Sequence, residues 1–583
     1  MISILIACSI GVPWLGALLV WLIGDRHEKV QHWTAILFSL VAGAAAVMML
    51  WHDSAEVGLS LVLNNRVFGE FNFVADGLGV FLSVIATVIG SLAVIFSTSY
   101  MKGEAQLGRY YAFVLFFIGA MVGLVLTSNI MLMFLFWEIT ALCSYALIAF
   151  HNDDPKAVKG GVKALIITSV GGVGLLLGAV VLYAYTGSMD INFFMANAGQ
   201  IPSGILAVLA FGFLVAAAAK SAQFPFQTWL PDAMEAPSPI SALIHAATMV
   251  NAGVYLLARF YPVFKEVPYW REAVMVVGML SALLAAIMAL TSMDLKRVLA
   301  YSTVSQLGYM VYAVGAGSVF ASQFHLFSHS IFKALLFLAA GSVIHSIGTR
   351  DMAAMGGVGK KLPFVQWVFI IGALALSGIP ILNGFWSKEI ILEAGLAGGP
   401  AWVYAVMVLV AGLTALYTIR CVWLVFFGEA RTEYHAHKVE FAMKAALLPL
   451  ALAAIVSWLG VGLFSALLGE HSLPFHGIES IGLAELFHEV VSIPTLVALV
   501  VVAFGFLLWL ARGKMGAFIE GLKSMRWAAE KSFGFEAING AVVNITNSVA
   551  EALRGTQTGI LNWNVLGILA ALVILVILII LGA

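Results

Sequence analysis

Charge is what this sequence has least of. Asp, Glu, Lys and Arg make up 10% of its 583 residues and hydrophobic residues 62%, a balance that excludes a soluble globular chain and fits one built mostly of membrane spans. Cysteine is scarce too. Cys8, Cys143 and Cys421 each lie in an apolar run with no metal-ligand spacing, so they read as small core residues and imply neither disulfide nor metal site. No Gly-rich nucleotide fingerprint, Cys-x-x-Cys or catalytic-triad pattern appears, so any redox chemistry belongs to another subunit. With a net charge of −1 nothing points to nucleic acid, and the expected partners are lipid and lipid-embedded proteins. The stretches 52–72 and 470–489 are too short to build soluble cores of their own.

What is present is a long series of apolar runs. Those near the ~20 residues needed to cross a bilayer fall at 2–24, 31–51, 73–98, 109–127, 129–150, 162–187, 204–225, 240–261, 270–293, 297–317, 322–345, 363–396, 401–427, 444–469, 490–512 and 561–582. They predict an all-α polytopic membrane protein of about 16 transmembrane helices. The first run lacks a basic region and a small-residue cleavage site, so it reads as a first helix rather than a cleaved signal. The seventh, followed by Pro225, Pro231, Pro237 and Pro239, and the twelfth, with Gly378-Ile379-Pro380, cannot be regular throughout, because proline removes a backbone donor and clashes with the preceding turn. Alternate loops hold twenty Lys and Arg on one side and four (Arg66, Arg259, Lys265, Arg271) on the other. By the positive-inside rule this predicts a multi-pass protein of the cell (cytoplasmic) membrane with both termini on the outer side. The segment 513–560 mixes Phe518, Leu522, Trp527 and Phe533 with Lys523, Arg526 and Lys531, and reads as a short amphipathic connector on the cytoplasmic side, with a plain loop as the alternative.

Against so little charge, the ionisable residues inside apolar runs stand out. Lys220 ends AFGFLVAAAAK just before SAQFPFQTWLP, and Lys388, beside Glu389, sits in GIPILNGFWSKEII. A charge deep in a discontinuous membrane helix is a functional-site hypothesis by default. Glu138 lies in MLMFLFWEITALCSYALI, and a carboxylate there stays ionised only with a cation nearby; Lys220 is the natural candidate. A static pair joining two helices is the structural alternative. His325, His329 and Lys333 in FHLFSHSIFKALLF are spaced i, i+4, i+8, which stacks them over about 12 Å of helix. A lone histidine is more often a satisfied core residue, but two histidines and a lysine in register form a line. Metal binding by the histidines has the right spacing, yet no third ligand is evident and Lys333 disfavours it. His245 begins the eighth run directly after the broken seventh and can stand between Lys220 and that line, with Ser241, Thr248 and Asn251 to orient water. Lys163, Lys296 and Glu389 are secondary candidates. Lysine suits proton transfer because burial disfavours its charged form while a nearby carboxylate restores it, so changing their separation loads or unloads a proton. Histidine titrates near neutrality and relays between lysines.

The strings FWEITALCSYALI, KSAQFPFQTWLPDAMEAPSPISALIHAATMVNAGVYL, MDLKRVLAYSTVSQLGYM, FHLFSHSIFKALLFLAAGSVIH and GFWSKEIIL resemble the antiporter-like membrane subunits of respiratory complex I, most closely its distal subunit L type, over nearly the whole chain. The resemblance implies two inverted five-helix repeats with the broken helices at their centres. The chain would divide into helices 1–3 (1–108), a first repeat (109–261), a second repeat (262–427), helices 14–15 (428–512), the connector and a last span (561–583). It also implies a mid-membrane proton axis of Glu138, Lys220, His245, His325, His329, Lys333 and Lys388. The partners implied are other antiporter-like and small membrane subunits of a complex I-like assembly, and quinone, flavin and iron–sulfur clusters are expected only in partner subunits.

Two departures stand against the resemblance. Where the family carries an Arg-Val-Gly-Asp stretch this chain has Ser169-Val170-Gly171-Gly172, a form more like the multisubunit sodium/proton antiporters related to it. Only about 25 residues separate FGFEAING from TGILNWN, roughly 35 Å even if wholly helical, which argues against a long transverse brace. The expected function is proton translocation in a redox-driven complex. The alternatives are a subunit of a sodium/proton antiporter and a membrane partner in an inorganic-carbon uptake system.

Overall fold

The computed structural model describes residues 1–52, 56–62, 70–432 and 438–556. Among them 13 helices are long and apolar enough to cross a membrane, so the chain is a multi-pass integral membrane protein. The expected runs through 490–512 all fall on helices, with two differences. Leu295–Ala316 is a 22-residue helix too polar to count among the 13. The run 363–396 is two helices, Pro363–Ser377 and Asn383–Gly398. The expected last span, 561–582, lies outside the described residues.

The sequence predicts an all-α chain, and the structure corrects this. Val57–Val62 and Glu70–Val74 pair as an antiparallel two-stranded sheet, in a stretch whose apolar alternation is too short to register beside the membrane runs.

Local chemistry sets the helix ends. Asp76, Asn129, Asp154, Asp294 and Ser318 accept or receive the first-turn N–H bonds of Gly77–Tyr100, Ile130–Ile148, Pro155–Thr186, Leu295–Ala316 and Val319–Ile347, satisfying donors that otherwise lack partners. Gly187, Gly317 and Gly348 close three of these helices with positive φ, a conformation glycine adopts without penalty. Trp270–Thr291 and Leu295–Ala316 pack backbone against backbone. A Cβ at Gly278 would stand 2.5 Å from Tyr312 N, and one at Gly308 2.6 Å from Gly278 O.

Residues 1–522 form one compact unit and 523–583 a second, so the division falls inside the expected 513–560 connector. The described part of the second unit is helical, with Lys523–Glu530 and the 22-residue Phe535–Thr556. In the first unit the most deeply buried spans are Ser238–Phe264 and Val319–Ile347, while Ile2–Ile23 and Ile493–Lys514 bury about a quarter of theirs. The two spans that carry His245 and the His325, His329, Lys333 row are thus the most deeply buried ones.

Candidate functional site

Ser203–Lys220 ends at its lysine, and the chain turns through 221–228 before the short helix Trp229–Asp232. Ala222 takes a positive φ of 51° in that turn. The Lys220 side chain is fully buried. Its ammonium donates to the Trp137 carbonyl at 2.6 Å and lies 4.8 Å from the centre of the Trp137 ring. Glu138, the next residue, points elsewhere: its Oε2 accepts from Ser169 Oγ at 2.7 Å, and its buried Oε1 has no hydrogen-bond partner. The expected Glu138–Lys220 ion pair is thus not closed, because the carboxylate has a closer donor on Pro155–Thr186.

His245 lies in a π-helical segment, Leu243–Ala247, between Ser238–Ala242 and Met249–Phe264. Thr248 breaks the backbone (φ −132°, ψ −107°), and such single-turn π segments often mark functional sites. Thr248 Oγ1 donates to Leu243 O at 2.9 Å and Asn251 Nδ2 to Ala246 O at 2.8 Å. Expected to orient water, these side chains instead repair the break they adjoin, leaving only Asn251 Oδ1 unbonded. Both ring nitrogens of His245 are buried without partners, and its ring packs 4.5 Å from that of Phe337 on Val319–Ile347.

On Val319–Ile347 the i, i+4, i+8 row is present and fully buried. His325 Nδ1 lies 2.9 Å from Ser387 Oγ and Nε2 3.1 Å from Gln306 Oε1. His329, its ring 6.4 Å from that of His325, has neither nitrogen bonded. Lys333 donates to Leu299 O at 3.2 Å and to Ser302 Oγ. A small cavity beside it is lined by Ser302, Tyr417 and Cys421. Lys388 follows the second break, where Gly378 (φ 77°) and Ile381 (φ 81°) both take positive φ; for a β-branched residue this is a backbone outlier of the kind that clusters at functional sites. Its ammonium donates to Leu376 O at 2.8 Å across the break and stands 5.8 Å from the Tyr309 ring. Glu389 is buried, with Oε2 unbonded.

The secondary lysines separate from this row. Lys163 pairs with Asp232 at 2.8 Å, and Asp232 also holds Arg297 at 3.1 Å. Arg350 binds Glu235 at 2.6 Å and Asp294 at 2.7 Å; these bonds, the Glu235 one first, hold its guanidinium above the usual range. Lys296 is buried against Ala236 O. Lys163 and Lys296 therefore fasten the loop of the broken helix at its basic end.

Sequence reasoning missed a second buried cluster on the opposite side. Arg259, expected in a loop, lies within Met249–Phe264 and is 7% exposed. It grips both carboxylate oxygens of Asp76 and donates to Tyr255 OH at 3.1 Å. The spacing of Tyr255 and Arg259, i and i+4 in an apolar run, was the available signal. His476 reaches Ala258 O at 3.0 Å, and burial, then the charge of Arg259, holds its imidazole down at about 4. On this side a cavity of about 440 Å³ is lined by Ser318, Glu393, His476 and Glu479; Glu393 stands one turn beyond Glu389.

A row of buried ammonium and imidazole groups bonded to carbonyls and hydroxyls, with several nitrogens unbonded by protein, can accept and pass protons once water bridges them. Among the described residues no cluster of three or more His, Cys, Asp or Glu could hold a metal.

Residues 127–414 match the family described as NADH:quinone oxidoreductase/Mrp antiporter, TM, and residues 68–111 match NADH-ubiquinone oxidoreductase (complex I), chain 5 N-terminus. NAD(P)H-quinone oxidoreductase chain 5 of Synechocystis sp. is 40% identical over 447 residues, 72% of this chain and 66% of its own. Its counterpart in Picosynechococcus sp. is 39% identical over 447 residues, covering 72% and 67%. The chloroplastic subunit 5 of Nymphaea alba is 40% identical over 418 residues, 69% of this chain and 55% of its own. The chain thus spans about two thirds of the cyanobacterial relatives and just over half of the plant one. A structure of an Mrp complex from Dietzia sp. covers 100% of this chain and 63% of the matched one, with a TM-score of 0.83 and 28% identity. A membrane-bound sulfane sulfur reductase, an archaeal respiratory membrane complex, shares the fold at a TM-score of 0.69 and 24% identity, covering 85% and 99%.

Proposed function

The chain belongs to the family of transmembrane subunits shared by NADH:quinone oxidoreductases and Mrp antiporters, with chain 5 proteins among its relatives, and from this premise we propose that it carries protons across a membrane as one subunit of a redox-driven complex. The observation that carries the reading is the burial of six ionisable groups in an otherwise apolar interior. Lys220, His245, His325, His329, Lys333 and Lys388 are each at most 1% exposed, and the four ring nitrogens of His245 and His329 have no protein partner. Groups in that state are costly to keep unless they work.

In this reading the two broken helices centre two inverted repeats, 109–261 and 262–427. A proton enters from the basic, cytoplasmic side, is held at Lys220 and passes through His245 and the line Lys333, His329, His325 to Lys388. His325 takes its place in the row through Ser387, which stands one residue before Lys388. Glu389 and Glu393 lead from there to the cavity on the far side. Closing the distance between Glu138 and Lys220 loads the first site, and opening it releases the proton onward. Electron transfer, with its quinone, flavin and iron–sulfur groups, belongs to partner subunits.

Neighbouring membrane subunits are also part of the reading. Glu138 is only partly buried, between exposed Leu135 and Leu142, and a carboxyl group at that depth needs a protein neighbour rather than lipid. The test is proton transport by the reconstituted assembly carrying Lys220→Ala or Lys388→Ala. Loss of transport with the assembly intact is expected, and wild-type transport in both variants would overturn the reading.

Ser169 and Gly172, together with the similarity to the Dietzia Mrp complex, favour a second reading: sodium/proton exchange. The same vesicles in sodium-free medium separate the two, since proton transport alone continues there undiminished.

A further inference from the structure

The Glu138 carboxyl group is held by the helix Pro155–Thr186 and not by Lys220. Ser169 Oγ donates to Oε2 at 2.7 Å. One helical turn on, Gly172 presents bare backbone to the other oxygen: a Cβ there would stand 2.5 Å from Glu138 Oε1 and 3.4 Å from Trp137 Nε1. Any larger residue at 172 would fill the space the carboxyl group now takes. Meanwhile Lys220 is bonded to the carbonyl of Trp137, on the same helix one residue away, so a change of Glu138 rotamer is enough to alter their separation without moving either helix.

We propose that Ser169 and Gly172 are positioning residues that form a docking place for the Glu138 carboxylate, holding it away from Lys220 in one of two alternative positions. The inference rests on the reading of Lys220 as the first proton site, and adds what sets its partner's position. The ionisable groups around Glu138 are few. Lys220 comes from Ser203–Lys220 and Cys143 from its own helix, while Lys163 on Pro155–Thr186 is committed to Asp232. On Leu107–Leu126, Arg109 is bonded to the carbonyls of Ala149 and Phe150. Arg259 on Met249–Phe264 is held by Asp76. Lys220, bonded to the Trp137 carbonyl, has no carboxylate partner of its own.

The experiment uses the whole reconstituted assembly with Ser169→Ala, Gly172→Ala, Glu138→Gln and the rescue variant Ser169→Thr. Infrared difference spectra report the Glu138 carboxylate band, assigned by its loss in Glu138→Gln, and proton transport is followed against pH. Ser169→Ala and Gly172→Ala are each expected to shift that band. They should also move the alkaline limb of the pH profile upward by on the order of 1 unit, because a closer carboxylate favours the ammonium form. Ser169→Thr restores both. A band unmoved in Ser169→Ala overturns the inference, whatever transport does. Unaltered transport in Glu138→Gln instead overturns the functional reading, and the band then still decides the docking place.

Discussion

His325 Nδ1 and Ser387 Oγ lie 2.9 Å apart, and through this contact the row on Val319–Ile347 meets the second half of the broken helix, one residue before Lys388. Ser387 in turn donates to Asn383 O at 3.0 Å, so its hydroxyl proton is committed and it accepts from the imidazole. Nε2 faces a second acceptor, Gln306 Oε1, at 3.1 Å.

Ser387→Ala removes one of the two side-chain partners of the ring and frees it to rotate. A buried hydrogen bond between membrane helices contributes about 0.6 kcal/mol and up to ~1.7, so the assembly should stay intact. Proton transport is expected to fall about tenfold, a loss equivalent to ~1.4 kcal/mol of barrier, measured by pH-gradient formation in vesicles. Ser387→Thr keeps the acceptor and should keep most of the rate.

Asp76→Leu should be far more damaging to stability than to chemistry. It strands the buried Arg259 guanidinium, and breaking one side of a buried pair costs about 3–5 kcal/mol. The double variant Asp76→Leu with Arg259→Met removes both charges and should recover most of that loss. Thermal unfolding in detergent distinguishes the two. Equal destabilisation by single and double variants would show that the pair contributes by its shape and capping bonds rather than its charge.

His476 gives the loop 470–489 a pH dependence. Its folded-state value, about 4, lies below the ordinary 6.5, so between those values the unfolded loop binds more protons than the folded one. Stability is therefore present above about 6.5 and is lost as pH falls toward 4, by on the order of 1–3 kcal/mol. Proteolysis of this loop should accelerate between pH 7 and pH 5 in the native protein. His476→Gln should flatten the dependence.

Much of this architecture can be read in the residues themselves, but unevenly. The apolar runs locate the helices because desolvation depends on composition, and Gly378-Ile379-Pro380 and the prolines after Lys220 announce the breaks because their backbone chemistry is local. The row His325, His329, Lys333 follows from helical geometry. The π segment at His245 did not, since no Gly or Pro marks it and it persists only through bonds from Thr248 and Asn251. Arg259 was assigned to a loop because its partner, Asp76, stands 183 residues away in the chain. The paired strands Val57–Val62 and Glu70–Val74 escaped notice for want of a strong alternation.

By itself the sequence determined which segments lie in the membrane, where two of them break and which ionisable groups are taken to depth, because hydropathy and helical periodicity act over a few turns. Tertiary structure alone decided what each of those groups faces: Glu138 toward Ser169 instead of Lys220, Lys163 toward Asp232, Arg259 toward Asp76. Hydropathy fixes how far along a helix a side chain sits, but the rotation of that helix and the donor across from it come only from packing.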